Sequence, residues 1–156
     1  MAVVTEMYTY PVKGCAGVPV TEAPLTEAGL AHDRTFMVVS ESGVFRSQRG
    51  EPRPALVRPD IVLDGWDRPH LEDEVRRVSI GGSELSYAEL ATRCAVTTVD
   101  QNTGAKSGRE PLRALSAYRR ASAGGVVFGA KFSVVRSGTL VLGEDAVVTG
   151  WGESER

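Results

Sequence analysis

The chain is poor in lysine: Lys13, Lys106 and Lys131 are the whole complement, and arginine carries most of the positive charge. Arginine forks suit bidentate recognition of phosphate or carboxylate, although a GC-rich coding bias gives the same composition. Histidine is scarcer still. His32 and His70 alone are too few for a histidine metal site. Cys15 and Cys94 are the only cysteines, and no CxxC pattern occurs, so neither a disulfide framework nor a zinc site of the usual spacing is expected. No apolar run approaches a membrane span, and the first ten residues lack the basic start and apolar centre of a secretory signal. A strong charge of either sign is missing too. The net −2 gives no reason to expect nucleic acid or an anionic membrane as a partner. Together these absences predict a cytoplasmic chain with reduced thiols.

What is present is ordinary globular material. A chain of 156 residues, 42% hydrophobic and 24% charged, suits a single domain large enough to bury a core without staples. Residues 3–10 read as a first strand ending at Pro11. The small-residue loop Lys13-Gly14-Cys15-Ala16-Gly17 follows, and 18–25 resumes as a strand that Pro19 and Pro24 confine to an edge or a bulge. Residues 35–40 and 44–47 predict a hairpin across Glu41-Ser42-Gly43. Pro52, Pro54 and Pro59 make 49–59 a linker or an extended wall, and 60–63 a short strand closed by Asp64-Gly65.

Residues 75–80 and 84–90 flank Gly81-Gly82, a strong hairpin signal. The spacing of Leu112, Leu115 and Tyr118 predicts one helix over 107–120, with Arg119 and Arg120 placed to suit its C-terminal dipole. Residues 126–135 and 139–142 are expected to pair across Ser137-Gly138, and 146–149 follows the Gly143-Glu144-Asp145 turn. Short strands, tight turns and one helix predict a mainly β fold, an antiparallel barrel or closed sandwich.

The stretch with chemistry in it is Arg93-Cys94-Ala95-Val96-Thr97-Thr98-Val99-Asp100. Its β-branched residues predict a strand over 95–99, with Cys94 just before it. A neighbouring guanidinium favours the thiolate, the form that binds soft metals or attacks electrophiles. A cysteine beside a strand is also common as an inert filler of the core.

Several islands resemble one family. Tyr10-Pro11-Val12-Lys13-Gly14-Cys15-Ala16-Gly17, Gly29-Leu30 and Asp33-Arg34 are similar to the opening of MOSC proteins of the amidoxime-reducing type. Arg58-Pro59-Asp60-Ile61-Val62-Leu63-Asp64-Gly65 resembles the lead into their barrel, and Arg109-Glu110-Pro111-Leu112, Tyr118-Arg119, Phe128-Gly129 and the run from Gly138 to Asp145 continue the match. The resemblance implies a MOSC-like antiparallel β-barrel with one substantial helix near the C-terminal third. It implies a single compact unit over 1–156, in which 1–56 corresponds to the family's N-terminal β part and 57–151 to the MOSC barrel. It also implies molybdenum cofactor, with Cys94 as catalytic metal ligand and Lys13, Arg34 and Arg58 holding the pterin and its phosphate. Forked guanidiniums and an ammonium are suited to that task.

The chain departs from the family in three places. The long central segment between the counterparts of Pro54-Ala55-Leu56 and Arg58-Pro59 is missing. Gly14 stands where relatives often carry serine, and Asp60 where asparagine is common. Three functions remain open. One is a molybdenum oxidoreductase acting on an N-hydroxylated or N-oxide-like small molecule, which needs an external electron-transfer protein. The second is a cofactor-free descendant that binds or transforms a small molecule, and the third is a persulfide sulfur carrier at Cys94. The lost wall also predicts a homodimer, each subunit covering the other's open face beside Arg34 and Arg58.

Overall fold

Strand β1 (Ala2–Thr9) sets the logic of the architecture. Its inward residues are Ala2 and Val4, then Met7 and Thr9, so the alternation slips by one between Val4 and Glu6. A bulge there leaves Thr5 and Glu6 both facing out and bends the strand, which starts the curl of the sheet. The structure, a computed structural model, describes residues 2–12, 16–37, 59–94, 98 and 108–156.

After β1 come β2 (Val18–Pro19), β3 (Glu22–Thr26), β4 (Gly29–Leu30) and β5 (Ile61–Asp64). A 3-10 turn (Leu71–Glu74) leads into β6 (Val75–Ile80) and β7 (Ser83–Arg93). Helix α1 (Leu112–Tyr118), β8 (Val126–Arg136), β9 (Gly138–Val141) and β10 (Asp145–Trp151) complete the order. The larger sheet runs β2-β1-β10-β6-β7-β8, with β5 also paired to β1, and every pairing is antiparallel. A smaller sheet, β4-β3-β9, packs against it. The core lies between them: Val4, Met7, Val75, Val78, Ile80 and Leu85 from one side meet Ala23, Leu25, Leu30 and Leu140 from the other. The mainly β, curled antiparallel architecture with a single helix among the described residues agrees with the sequence expectation. No helix among these residues is long and apolar enough to cross a membrane.

The hairpin across Gly81-Gly82 is present, with Ile80 opposite Ser83. Three expectations change. First, β9 does not pair with β8; it crosses to β3, with Glu22 opposite Val141 and Leu25 opposite Gly138. Only Ser137 separates β8 from β9, fewer residues than a hairpin turn needs. Second, the helix covers 112–118 and not 107–120. Gly108 has φ 110, outside helical space, and the Glu110 carboxylate accepts the Ala114 N–H to cap the first turn. Third, Thr98 is buried in a 3-10 conformation, the rest of the strand expected over 95–99 lies outside the described residues, and the strand that leads to Cys94 is β7, which ends at Arg93. The hairpin expected over 35–47, and the linker or wall over 49–59, lie outside the described residues apart from Thr35, Phe36, Met37 and Pro59.

The C-terminal end of the helix is held from beneath. Arg119 turns inward, fully buried, and forks onto Asp73 with Nη1–Oδ2 2.6 Å and Nη2–Oδ1 2.9 Å. Its Nε donates to the Val127 carbonyl at 3.2 Å, tying α1 to β8 as well. The expected dipole role therefore falls to Arg120 alone, whose Nε donates to the Ser116 carbonyl.

Candidate functional site

The residues that carry the site sit where β1 ends. Tyr10 holds two segments together there. Its backbone carbonyl accepts the Arg34 N–H at 2.7 Å, its N–H donates to Asp33 Oδ1 at 2.8 Å, and its hydroxyl donates to the Pro59 carbonyl at 3.1 Å. The loop after β4 is thus fastened on one side and the lead into β5 on the other. Arg34 occupies left-handed backbone, φ 50, an uncommon state for a residue with a Cβ, and the Asp33 and Tyr10 bonds hold it there.

The Arg34 side chain lies over the Tyr10 ring, 5.2 Å from its centroid. One nitrogen, Nη1, meets Asp33 Oδ2 and, at 3.0 Å, Asp60 Oδ1. Burial alone lowers the Arg34 pKa, but Asp60 and Asp33 together outweigh it and hold the guanidinium above its ordinary value. The Asp60 carboxyl is also raised above its ordinary value. Burial pushes its carboxyl up, Arg34 draws it back, Asp33 repels it, and Arg93 contributes a weaker attraction.

Arg93 links this corner to the cysteine. It ends β7, and its Nε and Nη2 both donate to the Phe128 carbonyl, at 2.8 and 2.6 Å. Gly129 lies beside Arg93 in left-handed backbone, φ 76, a conformation that favours glycine. Burial depresses the Arg93 guanidinium, and the charges of Cys94 and Asp60 work against that fall. Cys94 itself is exposed, one residue beyond the strand.

Of the four residues singled out from sequence, the structure describes Arg34 and Cys94: Arg34 is bonded to Asp60, and the charges of Cys94 and Asp60 both bear on Arg93. Lys13 and Arg58 lie outside the described residues. Sequence reasoning noted Arg93 for its neighbour and Asp60 as a departure, but not that Asp60 bridges toward both arginines. Asp33 was visible only as half of a motif. Nothing in the local sequence announces that its carboxylate closes over Arg34. Among the described residues no three His, Cys, Asp or Glu side chains group to hold a metal ion, so a metal at Cys94 would need donors from a bound cofactor or from elsewhere in the protein.

Comparison with known proteins gives a family and partial relatives. The family model for the MOSC N-terminal beta barrel domain matches residues 1–117. A human protein named mitochondrial amidoxime-reducing component 1 is 34% identical over 81% of this chain and 40% of its own length. The mouse counterpart is 36% identical over 74% of this chain and 36% of its own length. Human molybdenum cofactor sulfurase is 49% identical over a shorter stretch, 39% of this chain and 7% of the relative. The chain thus spans two fifths or less of each of these relatives.

Proposed function

Because the chain belongs to the MOSC family, whose N-terminal β-barrel domain it carries, we propose that it binds molybdenum cofactor at Cys94 and Arg34 and reduces an N-hydroxylated or N-oxide-like small molecule. The observation that supports this reading is an exposed thiol set beside a guanidinium and joined electrostatically to a second guanidinium on another strand connection. The donor chemistry fits. A thiolate is a soft ligand suited to the metal, and an exposed arginine fork is suited to a phosphate. When bound, the cofactor supplies the two-electron redox chemistry that removes an oxygen atom from the substrate.

The chain's own residues hold and orient. Arg93, pinned by the Phe128 carbonyl, keeps a fixed positive charge next to Cys94. Arg34 is preset by the Tyr10 and Asp33 bonds, which lowers the ordering cost of taking an anion. Lys13 and Arg58 complete the cationic set in this reading. An external electron-transfer protein closes the redox cycle.

One observation favours a second reading, a cofactor-free descendant that binds a small molecule. The described cluster is already charge-balanced, with Asp33 and Asp60 facing Arg34 and Arg93. Metal analysis decides between the two. Protein produced in cells that make molybdenum cofactor should carry near-stoichiometric molybdenum, lost in Cys94→Ser, because serine is a harder and far less acidic ligand. Metal-free wild type would overturn the cofactor reading, and a mass gain of one sulfur atom at Cys94 would point to the persulfide carrier.

A further inference from the structure

We infer that Asp60 is a specificity-determining residue, an intramolecular competitor whose carboxylate restricts the Arg34 site to phosphate-type dianions. The inference deepens the proposed function and rests on its reading of Arg34 as an anion-binding side chain.

The two carboxylates on Arg34 are not equivalent. Asp33 is built into the backbone, since its Oδ1 accepts the Tyr10 N–H while its Oδ2 meets Arg34. Asp60 has no such second duty. Its backbone carbonyl accepts the Tyr8 N–H, but its side chain's hydrogen-bond partner among the described residues is Arg34, at 3.0 Å. An incoming anion can therefore displace Asp60 without dismantling the loop, whereas displacing Asp33 would release Tyr10. The Arg34–Asp60 pair is also partly open to solvent, so ligand can reach it.

Charge then decides which ligand succeeds. A monocarboxylate that replaces Asp60 exchanges one carboxylate for another, gains almost nothing in Coulomb energy and still loses its own freedom. A dianion with several oxygens gains on both counts: it offers Arg34 more charge and can accept the guanidinium in a bidentate grip. The displaced Asp60 retains the weaker attraction of Arg93. Burial already disfavours the ionised Asp60, which makes the internal bridge easier to surrender.

The test uses the full chain, with inorganic phosphate and acetate as probes at fixed ionic strength, followed by calorimetric titration. Wild type should bind phosphate in preference to acetate. Asp60→Asn, nearly isosteric, should tighten phosphate binding about three- to tenfold and make acetate binding measurable. Adding Arg34→Gln to Asp60→Asn should abolish both gains. Asp60→Ser carries the same expectation if the asparagine variant fails to fold. An Asp60 variant with unchanged phosphate affinity, a gain that survives the loss of Arg34, or no phosphate binding by any of the proteins overturns the inference. Phosphate gain in a protein that loads no molybdenum would end the cofactor reading and leave this inference standing. Molybdenum loading with no phosphate gain would do the reverse.

Discussion

Arg119 and Asp73 form a fully buried, two-pronged ion pair that joins the C-terminal end of α1 to the 3-10 turn before β6. Ser154 adds a hydroxyl contact to the same carboxylate, at 3.4 Å. Removing either partner strands a charge in the interior. Arg119→Met should cost about 3–5 kcal/mol, while replacing both residues with apolar ones of similar volume should recover much of it. Denaturant unfolding of the two single variants and the double variant checks this. Additive losses in the double variant would show that the pair does not act as a unit.

Asp60 makes stability depend on pH. Its folded-state value is raised, first by burial and then by Asp33, against the pull of Arg34. Between the ordinary carboxylate value and this raised one, the folded chain holds a proton that the unfolded chain has released. Stability therefore falls as pH rises through that window. Asp60→Asn removes the titration, so its melting temperature should gain on wild type as pH rises above the ordinary carboxylate range. A variant that loses ground with rising pH would contradict the sign.

Ser83 and Gly138 should be coupled. The Ser83 hydroxyl is buried with no hydrogen-bond partner among the described residues, and a Cβ at position 138 would come within 2.5 Å of it. Ser83→Ala should be neutral or stabilising by up to about 1 kcal/mol. Gly138→Ala should cost about 1–3 kcal/mol through overpacking, and most of that should return in the double variant. Thermal unfolding of the four proteins gives the coupling directly.

Exposure of Cys94 has a kinetic signature. In a Cys15→Ser background a water-soluble disulfide reagent should label Cys94 completely without denaturant. Labelling that requires unfolding would contradict the exposed placement.

Local chemistry made the β6–β7 hairpin readable in advance, because Gly81-Gly82 specifies a turn without help from the rest of the chain. The single helix was legible too, though its start was set by the Gly108 backbone and the Glu110 cap and not by the apolar spacing. The destination of β9 was not legible. Its partner lies more than a hundred positions earlier, and no pattern within 126–142 states which edge it will join. The site divides in the same way. Arg34, Arg93 and Cys94 announce their chemistry as single residues. The carboxylate 26 positions beyond Arg34, and the Phe128 carbonyl that steadies Arg93, are consequences of tertiary structure.

The crossing of β9 to β3, with Ala2 opposite Ala146 in the larger sheet, has a consequence for biosynthesis. A ribosome that has just released β3 leaves Ala23 and Leu25 without the strand that will cover them until residues 138–141 emerge. Both sheets must then close late and over long loops, the slow regime for β topologies. The nascent chain spends that interval with apolar strand edges open to other chains. Its yield in the cell should therefore depend on chaperone supply and on translation speed through residues 138–151 more than on the stability of the finished fold.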